Sequence, residues 1–238
     1  MLSRKGNLPA ARSLLESLAA EDDSQPDIWL VLAEVRRRGQ DLRGAVEAYQ
    51  RTLKHDPNHA GALAGLSLAY EGLGDMENLA SVCERLIELK PDDFMAHERL
   101  GTTLGQLGKI TEAQNAYRKA REIAPERPGA WLGEARLLAE HKRDNEAAAL
   151  CREFLEKHPD NADAWLLLAD IHVSGEALDE ALAAVAKAEA LQSDNPAVHA
   201  KKGLILVRRQ DWTQAAAAFQ QAAALQPGNV ETLAYLGE

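Results

Sequence analysis

Prolines at positions 57, 91, 125, 159 and 227 follow one another at 34 residues or a multiple of it, and this spacing constrains the chain more than any single motif. The segments around them read alike: DPNHAGAL, KPDDFMAH, APERPGAW, HPDNADAW and QPGNVETL. QSDNPAVH fills the one gap, with Ser193 in the proline's place, and an earlier copy, DSQPDIW, begins at Asp23. Units that recur at a fixed period bury their apolar faces on their neighbours, so a chain of this kind has no single central core. The usual step from 238 residues to one or two globular domains does not apply.

Numbered from Pro26, the units share further positions. One slot on the first helix is small in every copy: Ala33, Ser67, Gly101, Ala135, Ala169, Gly203 and Gly237. Its counterpart on the second helix reads Ala11, Ala45, Ala113, Ala147, Ala181 and Ala215, with Leu79 the exception. Small side chains at both places let two helix backbones come close. Large residues keep the same register, with Trp29, Leu63, Trp131, Trp165 and Leu233 on first helices and Tyr49, Tyr117 and Phe219 on second helices. His97 and His199 occupy the tryptophan slot and His172 a tyrosine slot, so all three read as structural histidines. Cys83 and Cys151 share the slot of Tyr49 and Phe219, which predicts buried thiols, and two units of separation put them out of disulfide range. Proline falls where second helices end, and Gly39, Gly74 and Gly108 mark turns inside units.

Over its whole length this pattern resembles the tetratricopeptide repeat family. The resemblance implies an all-α fold, a right-handed superhelical solenoid of 34-residue helix-turn-helix repeats forming one array over 1–238. Six full repeats would cover 26–59, 60–93, 94–127, 128–161, 162–195 and 196–229, with 1–25 supplying only a second helix and 230–238 the start of a first one. It also implies a concave groove, lined by first helices, that receives a peptide or a helical segment of a partner. Groove positions carry Arg37, Arg38 and Arg99 among mixed charges in the N-terminal half. In the more apolar C-terminal half they carry Leu132, Arg136, Leu166, Asp170, Val173, Lys201, Leu204, Val207 and Arg208. An amphipathic segment would lay apolar side chains on Leu132, Leu166, Val173, Leu204 and Val207 while Arg136 and Arg208 hold its acids. The competing expectation is that these leucines and valines are buried between adjacent first helices. The asparagine ladder of sugar-transferring relatives is missing, since that position reads Val31, Gly65, Arg99, Gly133, Leu167, Lys201 and Tyr235, and the carboxylate clamp of chaperone-tail binders is missing too.

With 27 basic and 37 acidic residues the net charge is −10, which argues against a nucleic-acid backbone as ligand. The run Arg36, Arg37, Arg38 reads as a solvated helix end, where cations complement the helix dipole. No catalytic, cofactor or metal residues stand out. His55 and His59 have a metal-like spacing but Pro57 breaks the helix between them, the pairs Asp22–Asp23 and Asp92–Asp93 belong to turns, and GQLGK at 105–109 lacks the spacing of a phosphate loop. A non-enzymatic protein–protein interaction scaffold is therefore expected; the alternative is a targeting or substrate-selecting arm of a larger enzyme, for example a transferase. The sequence shows neither a signal peptide nor a membrane-length apolar run, which reads as a cytoplasmic chain without membrane insertion. Glu134 and Lys202 replace a leucine of the other copies and are expected to be local weak points.

The two ends read as complementary parts of one repeat. Leu2, Leu8, Leu233 and Leu236 would then lack a neighbouring unit. The expectations are a segment of a longer repeat protein or head-to-tail self-association through these residues.

Overall fold

In the computed structural model, which describes residues 8–227, the backbone is helical and, among the described residues, carries no strand. It divides into two compact units, Met1–Ala124 and Pro125–Glu238. The first holds α1 (Leu8–Glu21), α2 (Pro26–Arg38), α3 (Leu42–His55), α4 (Ala60–Leu73), α5 (Met76–Leu89), α6 (Phe94–Gln106) and α7 (Ile110–Ile123). The second holds α8 (Pro128–Glu140), α9 (Asp144–Lys157), α10 (Ala162–Ser174), α11 (Leu178–Leu191), α12 (Pro196–Arg208) and α13 (Trp212–Leu225). Within each unit successive helices pack as antiparallel pairs, α2 with α3, α4 with α5 and α6 with α7, then α8 with α9, α10 with α11 and α12 with α13.

Local chemistry sets the helix boundaries. Side chains of Asp41, Asp75, Asp93, Asn161, Asn195 and Asp211 accept hydrogen bonds from backbone N–H groups that the first helical turn leaves unpaired. His59 does the same for α4 through Nδ1, 3.0 Å from the Ala62 N–H, so it caps a helix. The turn within each pair places one residue in the left-handed region: Gln40, Gly74, Gly108, Lys142, Glu176 and Gln210. Gly39, expected to make the first of these turns, has an ordinary φ of −81°, and the strained position is one residue on, at Gln40.

The core depends on a match of volumes across each pair. A Cβ added to Gly101 would lie 2.9 Å from the Tyr117 ring, and one on Gly203 would lie 2.7 Å from the Phe219 ring. Where the second helix carries a smaller residue, the facing slot carries more: Ser67 opposite Cys83, Ala135 opposite Cys151 and Ala169 opposite Val185. Tyr49 sits opposite Ala33 yet is only 1% exposed, and its ring finds room over Gly65, where a Cβ would come within 2.3 Å. Burial pushes the Cys83 thiol up to about 11 and that of Cys151 to about 12, so both stay protonated and unreactive at neutral pH.

A second recurring contact fixes the entry of each first helix. The Trp29 ring N–H donates to the Asp23 carbonyl at 3.1 Å, that of Trp131 to Pro125 at 3.0 Å and that of Trp165 to Pro159 at 2.9 Å. The histidines in this slot reproduce the bond through Nε2, His97 to Pro91 at 3.0 Å and His199 to Ser193 at 2.8 Å. Leu63 has no donor, and there Arg85 reaches the vacant Pro57 carbonyl at 2.6 Å.

The two charges in leucine positions both find partners. Lys202 donates to Glu189 at 2.7 Å. Glu134, 5% exposed, lies close enough to Arg143 for its charge to help raise that guanidinium's pKa, behind the larger effect of the Glu146 hydrogen bond.

Adding a methyl group where the rings press hardest should cost about 1–3 kcal/mol. Gly65→Ala is expected to lower stability to urea more than Gly203→Ala, because the Tyr49 hydroxyl is tied to Glu34 and the ring cannot retreat. In a Phe219→Ala background the Gly203→Ala penalty should largely disappear, a coupling that a double-mutant cycle reads directly.

Candidate functional site

The face formed by the first helices carries most of the side chains singled out from the sequence. In the N-terminal unit it is organised around Glu34 on α2. Arg37 grips this carboxylate with two bonds, Nε to Oε2 at 3.1 Å and a terminal nitrogen to Oε1 at 2.9 Å. Arg38 Nε adds one at 2.7 Å and the Tyr49 hydroxyl another at 3.0 Å. Burial by itself would raise the Glu34 pKa, but these four donations outweigh it and hold it at about 2. Tyr49 moves the other way, to about 12, through burial and then the adjacent carboxylate.

The run Arg36–Arg38 is thus not a freely solvated helix end. Arg36 points away from Glu34, to Glu16 of α1 at 2.9 Å and the Gly44 carbonyl at 3.0 Å. Spacing of three and four residues from Glu34 to Arg37 and Arg38 was the sequence signal for the cluster.

Farther along this face Arg99 donates to Ser67 Oγ at 2.9 Å and stands 3.5 Å from Glu71. Glu71, Arg99, Met76, Met95, Glu98 and Gln106 line a shallow recess with Thr102 at its wall. Met95 is 58% exposed, an apolar surface set among charges. Leu8 is half-buried and lines a smaller recess with Leu30, Val31, Glu34, Val35 and Arg38 of α2. Leu2, Leu233 and Leu236 lie outside the described residues.

In the C-terminal unit the expected apolar stripe is split by burial. Leu132 is 5% exposed and belongs to the core around Trp131, Phe154 and Leu168, which corrects its assignment to the binding surface: α10 packs on α8 and covers it. Leu166 and Val173 are half-buried and packed against the same core. Leu204 is 37% exposed, Val207 half-buried and Arg208 exposed, all within one turn of α12. Lys201 is already paired with Asp170 across α12 and α10, whereas Arg136 and Arg208 make no hydrogen bond or ion pair within the described residues.

Among the described residues no group of three or more His, Cys, Asp or Glu is placed to hold a metal ion, and no helix is long and apolar enough to cross a membrane.

Comparison with known proteins agrees with this architecture. Two tetratricopeptide repeat models match the chain, one over residues 30–94, 98–157 and 200–238 and the other over 145–205. The chain belongs to the tetratricopeptide repeat family. Among curated relatives it is 27% identical over 168 residues to cellulose synthase operon protein C of Xanthomonas axonopodis pv. citri, covering 67% of this chain and 11% of that protein. The chain spans between 11% and 28% of the length of the curated relatives it matches. Among solved structures it resembles PilW, a type IV pilus biogenesis factor, with TM-score 0.70 and 22% identity over 89% of this chain and 98% of that one. It also resembles YrrB, a tetratricopeptide protein with an unusual peptide-binding site, with TM-score 0.55 and 15% identity over 81% of this chain and 100% of that one. At these identities the two structures speak for the fold alone.

Because the Glu34 pKa is lowered on folding, its stabilisation is complete above the unfolded carboxylate value of about 4.3 and is lost as pH falls through about 2. With allowance for solvent screening of a partly exposed group, Glu34→Gln should cost about 1–2 kcal/mol at neutral pH. The gap between wild type and variant should close as urea unfolding is repeated from pH 5 down to pH 2.

Proposed function

We propose that this chain is a non-enzymatic interaction scaffold whose first-helix face holds a peptide or helical segment of a partner protein. The observation that carries this reading is the surface of α12: Leu204 exposed, Val207 half-buried and Arg208 exposed with its charge unmatched, at spacings of three and four residues. An amphipathic helix recognises such a surface by laying an apolar side chain on Leu204 and Val207 and an acid on Arg208. Arg136 offers a second free cation on α8, while Leu166 and Val173 contribute only the edges of half-buried side chains. In the N-terminal unit Arg37, Arg38 and Arg99 are held by carboxylates or a hydroxyl of their own unit, so their part is to shape the face and to exclude wrong charges. Asp170 and Lys201 neutralise one another in the same way. The peptide-binding site named for YrrB supports a peptide ligand by analogy of fold.

One observation favours a second reading, that the repeats are the partner-selecting arm of a larger enzyme: the curated relatives extend far beyond the matched region, of which cellulose synthase operon protein C is the extreme. Both readings place binding on the repeats and differ only in where chemistry is done.

The test is affinity capture from a lysate of the source organism, with wild type against the Leu204→Asp, Arg208→Glu variant. Both sites are exposed, so circular dichroism and melting temperature should be unchanged. A protein retained by wild type and lost from the variant is the expected result. Equal retention by both would remove α12 from the binding surface.

A further inference from the structure

In the N-terminal unit, along the second helices α3 and α5 and lined in part by α2 and α4, two recesses of about 430 and 360 Å³ adjoin each other. Gln50 and Lys54, one turn apart on α3, line both, so the two form a single trough that crosses the α3 ridge. Its charged lining is Arg36, Arg51, Lys54 and Arg85 against one acid, Glu47. Asn78, Ser81 and the Tyr70 hydroxyl, which already accepts from Gln50 at 3.0 Å, add neutral polar groups. A surface with an excess of three positive charges stands out on a chain of net charge −10.

Lys54 is the cation particular to this copy, whereas the position of Arg51 stays basic at Arg85, Lys119 and Lys187. The position of Lys54 is glutamate in the next three copies, Glu88, Glu122 and Glu156. The cations differ in how far they are already satisfied. Arg85 is committed to the Pro57 carbonyl and Arg36 to Glu16 and the Gly44 carbonyl, although Arg36 Nε is buried without an acceptor. Arg51 holds a long, exposed contact to Asp23 at 3.3 Å and lies over the Trp29 ring. Lys54 is exposed and pairs with nothing among the described residues.

We infer that this trough binds an acidic, extended segment of a partner protein, at a site separate from the first-helix face. Charge complementarity selects the occupant: carboxylates spaced along an extended chain can meet Lys54 and displace the weak Asp23 contact of Arg51, while Gln50 and Asn78 hydrogen-bond its backbone. The recesses have room for a few side chains and not for a folded domain. A nucleic acid fits less well. Arg51 lies over the Trp29 ring and the Tyr70 ring is only 6% exposed, so neither aromatic of the lining is open for base stacking.

The probe is a fluorescein-labelled peptide of alternating Glu and Gly, titrated with the full chain by fluorescence anisotropy at low salt. The variants are Lys54→Glu, Arg51→Glu and their combination, with the Leu204→Asp, Arg208→Glu protein as control. Each single charge reversal should weaken binding about tenfold, the combination should abolish it, and the control should bind as wild type does. Affinity should also fall as salt is raised. Absence of binding by wild type, equal binding by the charge-reversed variants, or loss in the control instead would overturn the inference. So would tighter binding of a single-stranded oligonucleotide of equal charge. Melting curves of the variants matching wild type exclude unfolding as the cause of any loss. Because the control removes the first-helix surface, failure of this site and failure of that one are read separately.

Discussion

Two helices can approach only as far as the largest side chain between them allows, and in this chain the limit is set by one pair of positions repeated along the sequence. Glycine faces an aromatic ring at Gly101–Tyr117 and Gly203–Phe219, and alanine or serine faces a smaller residue at Ser67–Cys83, Ala135–Cys151 and Ala169–Val185. A ring on one helix is matched by the smallest residue facing it, as close packing of the interior demands. Tyr49 shows how the rule is met when its usual partner is too large. With Ala33 opposite, the ring leans onto the next first helix, and the glycine that accommodates it is Gly65. That shift also carries the hydroxyl to Glu34, so a packing solution in the core becomes part of the electrostatics of the face.

The orientation of each first helix rests on a hydrogen bond that does not depend on one residue type. A ring N–H six residues beyond the turn carbonyl satisfies an acceptor that would otherwise be left unpaired at the junction of two helices. Tryptophan and histidine carry a donor at a comparable reach, which explains why they alternate in this slot. Leucine cannot, and at Leu63 the carbonyl is taken by Arg85 from the following second helix. The same arginine lines the trough that also holds Arg51 and Lys54.

Much of this was legible in the sequence because each feature recurs. Helix pairs, small slots, buried thiols and structural histidines all follow from a 34-residue period read against seven copies, and family membership follows with them. What was not legible depends on single copies. Leu132 occupies a position that is exposed or half-exposed in its equivalents, but the packing of α10 against α8 buries it, and no register rule carries that information. Gly39 lies in its turn as the sequence indicates, but the left-handed residue is the next one, where the geometry takes that conformation from glutamine. The trough on α3 and α5 escaped notice because its cations come from three helices and are unremarkable one at a time.

The distribution of satisfied and unsatisfied charge decides which surfaces can add binding energy. On the first-helix face of the N-terminal unit the arginines are already matched, since Arg37 and Arg38 share Glu34 and Arg99 is bound to Ser67 beside Glu71. A partner's acid would have to displace a carboxylate already bound at close range, and the exchange returns little net free energy. Such a face discriminates by shape and by the charges it repels. Where a cation has no partner among the described residues, as at Arg136 and Arg208 in one unit and Lys54 in the other, a new carboxylate has no bound carboxylate to displace. Affinity for an acidic ligand should therefore concentrate at these few residues.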